Sequence, residues 1–441
     1  MLKYRKILIY AAMTAVLCFL FIFAPRPQEE YCGKFIEVGQ LGFFPLNCDS
    51  WDYIETAESP SKLFDKKSIR QTRPLYVVLA AAAGYGLAPL FRVLPVERFN
   101  GQDALLGSSF YWGFMLLNFL ILVLSLLVFD RICGLVSDGK FPGFARFLLG
   151  VPLVSNVVIK TSVWSAHQQM LTILSPLLSV YFCLRIALAE KLEPKRIYGI
   201  SLAGGLLMLT YGNFLILFAA VWLTLAFRLL KTGEFSWASI KRLLLPAFVL
   251  FTFPTLFWSA VLLIVNGAVY SHEVAAYRQF VWVFDKLAIS FAAFREQFAE
   301  FSGFFWTSIY RTALVFLIAF ALLKIYNFLT RKKEAEETPG RASRQFVYAL
   351  VFLLYLLFFW FLGYYGERLT FTLVPVVLCA IADELNLLLA AGKRLTVGVV
   401  YVLLLTCAAF WIYSNVNTYG PFKDLTKNAP GIERKVLEMK C

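Results

Sequence analysis

The sequence predicts an all-α fold, a polytopic bundle of membrane-spanning helices, and three observations carry that class. Of the 441 residues, 60% are hydrophobic and 16% charged, with a mean hydropathy of +0.69; a soluble domain is about 45–50% apolar and about 25% charged. So few charged side chains cannot cover a water-soluble surface of this size. Second, the apolar residues gather in runs long enough to cross about 30 Å of hydrocarbon at about 1.5 Å per residue. Third, the 42 Lys and Arg exceed the 28 Asp and Glu by 14 and fall mainly in short connectors between runs. That is the positive-inside pattern, so membrane lipids are expected as partners and nucleic acid is not. A disordered or collagen-like chain is excluded by ordinary Gly (26) and Pro (17) counts beside 44 Phe.

The first run, 7–24, follows Lys3, Arg5 and Lys6. Its end, Phe21-Ile22-Phe23-Ala24 before Pro25, lacks small residues at both cleavage positions, so it reads as an uncleaved anchor with a cytoplasmic N-terminus. Residues 25–73 then form an extracytoplasmic loop. Further runs occupy about 75–95, 109–129, 147–162, 170–190, 197–229, 243–266, 303–327, 346–363, 369–390 and 396–413. The basic connectors Lys191–Arg196, Arg228–Arg242 and Lys324–Arg344 mark the cytoplasmic side. Run 197–229 must leave and return between two of them, so it is read as two short or tilted helices turning near Tyr211-Gly212-Asn213. A simple crossing by 75–95 breaks the parity, and a re-entrant hairpin around Gly84–Gly86 would restore it. The sum is one membrane domain, 1–441, with eleven or twelve spanning or re-entrant helices, a cytoplasmic loop at 328–345 and a polar tail at 414–441.

Four outside pieces concentrate polar chemistry. In Cys48-Asp49-Ser50-Trp51-Asp52-Tyr53-Ile54-Glu55 a helix would place Asp49, Asp52 and Glu55 on one face at i,i+3 spacing; a solvated connector is the plainer alternative. Arg73-Pro74-Leu75-Tyr76 sets a cation and a proline at a helix start, where proline is favoured. Trp164-Ser165-Ala166-His167-Gln168-Gln169 holds one of only two histidines, the other being His272. Gly363-Tyr364-Tyr365-Gly366-Glu367-Arg368 puts a charged pair between two apolar spans, where charge is costly to place; a Glu367–Arg368 pair without a ligand is its alternative. No His/Cys spacing suits zinc. Cys32 and Cys48 share the outer loop, on the oxidising side, and are a disulfide candidate whose closed loop would contribute about 3 kcal/mol.

Together these pieces resemble the GT-C superfamily of membrane glycosyltransferases, whose members use polyprenyl-phosphate-linked sugars. A pattern like D-S-x-x-Y-x-x-x-A is matched by Asp49, Ser50, Tyr53 and Ala57, and R-P-x-Y by Arg73, Pro74 and Tyr76. Gly204-Gly205 through Asn213 is similar to the family's short-helix hairpin, and Glu367-Arg368-Leu369 through Pro375 to its late E-R motif. Two departures stand out: His167-Gln168-Gln169 where many relatives carry an acid, and Tyr211 where many carry Lys or Arg.

The resemblance implies a GT-C-like fold and transfer of a sugar, with inversion, to a glycan, lipid or protein acceptor outside a bacterial inner membrane. Asp49 is the expected base, with Asp52 as its catalytic alternative. Arg368 and Arg73 are the expected donor-phosphate ligands, because a guanidinium offers a fixed fork of donors. Tyr53, Tyr76, His167 and Glu367 are further substrate-site candidates. The resemblance makes no cofactor certain, and a divalent cation, Mg or Mn, is the candidate. The Phe-rich stretches 301–320 and 351–361 are candidates for a lipid groove. A transporter or flippase of a lipid-linked saccharide is the alternative, although its ionisable residues would lie near the bilayer midplane; a non-catalytic assembly subunit is the third reading.

Overall fold

The computed structural model describes residues 2–23, 33–38, 40–93, 107–330, 340–363, 365–391 and 394–417. Helices dominate them. Nine of the described helices are long and apolar enough to cross a membrane, ten when Phe291–Thr312 and Leu314–Thr330 count as one bent span. Large apolar side chains such as Ile264 and Leu395 are more than four-fifths exposed, which only a lipid surface accommodates. The protein is an integral, multi-pass membrane protein.

In chain order the helices are α1 (Leu2–Leu20), α2 (Asp49–Glu58), α3 (Pro74–Val93), α4 (Ser109–Val136), α5 (Gly143–Val154), α6 (Val157–Ser162), α7 (Leu171–Ala187) and α8 (Pro194–Met208). Then follow α9 (Phe214–Lys231), α10 (Leu245–Asn266), α11 (Val281–Ile289), α12 (Phe291–Thr312), α13 (Leu314–Thr330), α14 (Arg341–Leu362), α15 (Val374–Ala391) and α16 (Arg394–Asn417). One departure from an all-α chain lies in the first loop: β1 (Gly33–Glu37) pairs antiparallel with β2 (Phe43–Asn47), Gly33 opposite Asn47.

Contacts between distant residues define two ends of the bundle. At one, Lys6 and Arg146 meet Asp130, and Arg341 and Arg344 meet Glu384 and Asp383. At the other, the indole of Trp164 donates to the Cys18 carbonyl, and Asn118 donates to the carbonyls of Val163 and Ser165.

These levels correct the expected span list at three places. The run 147–162 is not one helix: Pro152 precedes a break at Ser155-Asn156, where Asn156 caps α6 by accepting from the Ile159 N–H. The run 303–327 begins earlier, at Phe291, and bends by 66° between α12 and α13. Gly84 and Gly86 lie inside the continuous α3, not in a re-entrant turn. A Cβ on Gly113 would stand 2.4 Å from the Ala80 carbonyl oxygen, and one on Gly84 would stand 2.9 Å from the Phe110 Cα. The glycines therefore let α3 and α4 touch. Tyr76 meets Asn118 while Tyr85 meets Phe110, so α3 runs antiparallel to α4, away from the basic end. The expected turn between α8 and α9 is present, and the Leu209 carbonyl in it accepts from the Leu75 N–H at 3.1 Å.

Candidate active site

Asp49 opens α2, where the helix's positive end favours a carboxylate, and its N–H donates to Asn47 Oδ1 at 2.8 Å. Asp52 follows one turn later on the same face. Both carboxylates turn toward Arg70, on the 3-10 turn Ile69–Thr72. Arg70 Nη2 is 3.0 Å from Asp49 Oδ1, while its Nε lies 2.5 Å from Asp52 Oδ2, an ion pair without hydrogen-bond alignment. The guanidinium, 2% exposed, also lies 3.9 Å above the centre of the Tyr53 ring.

His167-Gln168-Gln169 ties three pieces of the site together. His167 Nε2 stands 3.3 Å from Asp49 Oδ2, Gln168 Oε1 accepts from the Tyr53 hydroxyl, and Gln169 Nε2 donates to the Arg368 carbonyl at 3.2 Å. Arg73 donates to the Tyr53 oxygen at 3.1 Å and pairs with Glu273. Tyr76 lies one layer deeper, its hydroxyl donating to Asn118. At the far side Gly363 ends α14 with φ of +82°, a left-handed cap suited to glycine. The chain then enters the short turn that carries Arg368, whose neighbour Thr370 reaches Ser308 at 2.6 Å and Thr312 at 3.0 Å.

A cavity of about 470 Å³ opens between these elements, within the range of small-molecule sites. Asp49, Arg70, Arg73, His167 and Arg368 line its polar wall, and Trp258, Phe280, Phe359 and Leu362 line an apolar wall. The Asp49 side chain is 41% exposed and contributes to this lining. Burial alone would raise its carboxyl, but Arg70 and His167 outweigh that and hold it well below the ordinary carboxylate range. Burial pushes the His167 imidazole down to about 4, against the opposing pull of Asp49. At neutral pH the pair is thus a carboxylate beside a neutral imidazole.

Of the residues singled out in the sequence, Asp49, Arg73, His167 and Arg368 come together on the cavity. Asp52, Tyr53, Tyr76 and Glu367 are not among its lining residues. Glu367 pairs with Arg311 at 3.2 Å, a partner 56 positions away in sequence. Cys48 is disulfide-bonded; Cys32, its expected partner, lies outside the described residues. So do 331–339 of the loop 328–345 and 418–441 of the tail 414–441.

Sequence reasoning missed Arg70 and Glu273. Arg70 sits in an ordinary polar stretch, Ser68-Ile69-Arg70-Gln71; the unpaired acid face of α2 was the signal that a cation had to arrive from elsewhere. Glu273 had no local signal, being paired across 200 positions of sequence. The donor set does not fit the expected divalent cation. Asp49 is already held by a guanidinium and an imidazole, and two more arginines line the same cavity. Among the described residues no group of three or more His, Cys, Asp or Glu side chains is placed to hold a metal.

No protein family matches this chain, and no curated protein matches it. Among solved structures it is similar to ArnT from Cupriavidus metallidurans bound to undecaprenyl phosphate, with 14% identity and a TM-score of 0.46 over 91% of this chain. The aligned part covers 63% of ArnT, so this chain spans less than two thirds of that structure.

Proposed function

We propose that the protein is a GT-C-type membrane glycosyltransferase. It moves a sugar from a polyprenyl-phosphate donor to a hydroxyl of an envelope glycan, lipid or other acceptor on the extracytoplasmic face. The observation that supports this reading best is the shared cavity: the Asp49 carboxylate and the arginines Arg73 and Arg368 line a chamber with an apolar wall. A lipid-linked sugar phosphate needs that combination, with cations for the phosphate, apolar surface for the first lipid units and a base for the acceptor.

The acceptor oxygen attacks the anomeric carbon as its proton passes to an Asp49 oxygen. The bond between the anomeric carbon and the phosphate oxygen breaks, and its electron pair stays on phosphate, where Arg368 and Arg73 neutralise it. Phosphate is a good leaving group, so no acid need stand behind it. The low carboxyl of Asp49 keeps the base ionised but weak, which suits proton transfer late in bond formation. His167, neutral and donating through Nε2, restrains the carboxylate; that tautomer follows from the Asp49 contact. Arg73, already shared with Glu273, binds phosphate in competition with that carboxylate.

The direct test is sugar transfer from a radiolabelled polyprenyl-phosphate donor in membranes, wild type beside Asp49→Asn. Loss of transfer with unchanged protein level supports the reading. Full transfer by Asp49→Asn with loss in Asp52→Asn would move the base to Asp52.

A further inference from the structure

A second cavity lies at the opposite, basic end of the bundle. Helices α13 and α14 both pack on α15 and leave a groove of about 220 Å³ between them. Along all three helices the groove-facing residues change from apolar to polar toward the same end. On α13 the order is Leu317, Phe320, Lys324; on α14, running the other way, Phe352, Ala349, Gln345; on α15, Val376, Ala380, Asp383. Three helices of different direction sharing one gradient describe a binding surface with a tail end and a head end.

The head end has unmet hydrogen-bonding capacity of a particular kind. Asp383 and Tyr348 are 5% and 7% exposed, yet Asp383 Oδ1 and the Tyr348 hydroxyl have no hydrogen-bond partner. Arg344 Nε satisfies only Asp383 Oδ2, at 2.9 Å, and the Glu384 oxygens are occupied by Asn327 and Arg341. Lys324, exposed at the rim, has no ion pair among the described residues. Leaving a buried acceptor unpaired is costly. What is missing is an N–H donor for Asp383 and Tyr348, an anion for Lys324, and apolar chain for the groove.

We propose that this groove binds a phospholipid with a primary amine in its head group, the phosphatidylethanolamine type. The ammonium donates to Asp383 Oδ1 and the Tyr348 oxygen, the phosphate faces Lys324, and one acyl chain lies along Phe320, Phe352 and Ala380. A quaternary ammonium has no N–H to donate, and a glycerol head group has no cation to offer Asp383. The site is therefore selective among lipids that share the same chains and the same phosphate.

The test is native mass spectrometry of the full-length protein in detergent. Phosphatidylethanolamine, phosphatidylcholine and phosphatidylglycerol of identical acyl chains are supplied at equal concentration. Phosphatidylethanolamine should be retained about tenfold over each of the others, the scale of one or two charge-assisted hydrogen bonds. Tyr348→Phe should reduce that preference several-fold, and Ala349→Trp, which fills the groove at an exposed position, should lower retention of all three lipids. Asp383→Asn also takes a partner from Arg344, so Tyr348→Phe decides the matter whether or not that variant folds. Equal retention of phosphatidylethanolamine and phosphatidylcholine, or an unchanged preference in Tyr348→Phe, overturns the proposal.

Discussion

Asp49 and Asp130 are both carboxylates facing an arginine, one at each end of the bundle, and they differ in what is left over. Asp130 sits within the long α4, where Lys6 at 2.7 Å, Arg146 at 3.3 Å and the Tyr10 hydroxyl at 3.1 Å surround a side chain that is 9% exposed. Its oxygens are spoken for, and it lines neither of the two cavities above. Asp49 has a guanidinium and an imidazole, but 41% of its side chain remains exposed and it lines a chamber large enough for a ligand. A charge inside an apolar helix is the ordinary mark of function in a membrane protein, and by that rule Asp130 would be chosen. Spare valence facing open space is the better criterion, and it selects Asp49.

Exchanging each carboxylate for its amide puts that comparison at risk. Asp49→Asn keeps the shape and removes the charge that accepts the acceptor's proton, so transfer should fall by about 10²-fold or more with folded yield unchanged. Asp130→Asn should do the reverse. Arg146 and Lys6 would lose a charged partner, a change that costs about 3–5 kcal/mol when a buried pair is broken, while transfer per folded molecule is kept. Transfer assays beside thermal unfolding in detergent separate the two; an Asp130→Asn protein that is stable but inactive would sink the comparison.

Arg368 should show the next largest effect. Lysine cannot reproduce a bidentate fork, so Arg368→Lys should raise the apparent donor KM several-fold and Arg368→Ala more, measured at fixed acceptor. Equal loss of abundance in both variants would instead give the Arg368 side chain a structural role.

Arg70 sharpens the argument about Asp49 through pH. Its charge is the largest influence holding the Asp49 carboxyl low against burial. Arg70→Lys cannot hold both carboxylates in one fork, so the Asp49 carboxyl should rise. Ionised Asp49 is the active form, hence the acidic limb of kcat/KM should move to higher pH in the variant. A limb that stays in place would mean that another group limits activity in acid.

Much of the fold was legible because a membrane helix announces itself by length and composition alone. The misreadings are informative. Run 303–327 was cut short because Arg295, Glu296 and Glu300 lower the hydropathy of α12 without ending its helix. Gly84–Gly86 offers a hairpin on paper because sequence cannot show that Gly113 stands opposite Gly84. In the site, Asp49, Arg73, His167 and Arg368 were legible as short motifs near span ends. Arg70, Glu273 and the Arg311 partner of Glu367 were not, since each acts across a gap in sequence that no local pattern encodes.

The smallest expected effect concerns His167, and its sign is fixed by burial. The imidazole sits at about 4 in the folded protein against 6.5 when exposed. Between those values the unfolded chain takes up a proton that the folded chain refuses, so stability falls as pH drops from 6.5 toward 4. Below about 4 both states carry the proton and this contribution is gone. Asp49, held low, adds its own loss only at more acid pH, as the carboxyl is protonated through and below the ordinary carboxylate range. His272 is also lowered by burial and contributes in the same direction, so only a difference between proteins isolates His167. His167→Gln keeps an N–H donor beside Asp49 and removes the titration. Its unfolding free energy should fall less steeply with acid, by at most about 1.4 kcal/mol per pH unit within that window. Thermal unfolding at a series of pH values from 7 to 4 reads the two slopes directly. Parallel slopes would mean that the folded protein protonates His167 as readily as the unfolded chain does, and a neutral imidazole could then no longer be the partner that restrains Asp49.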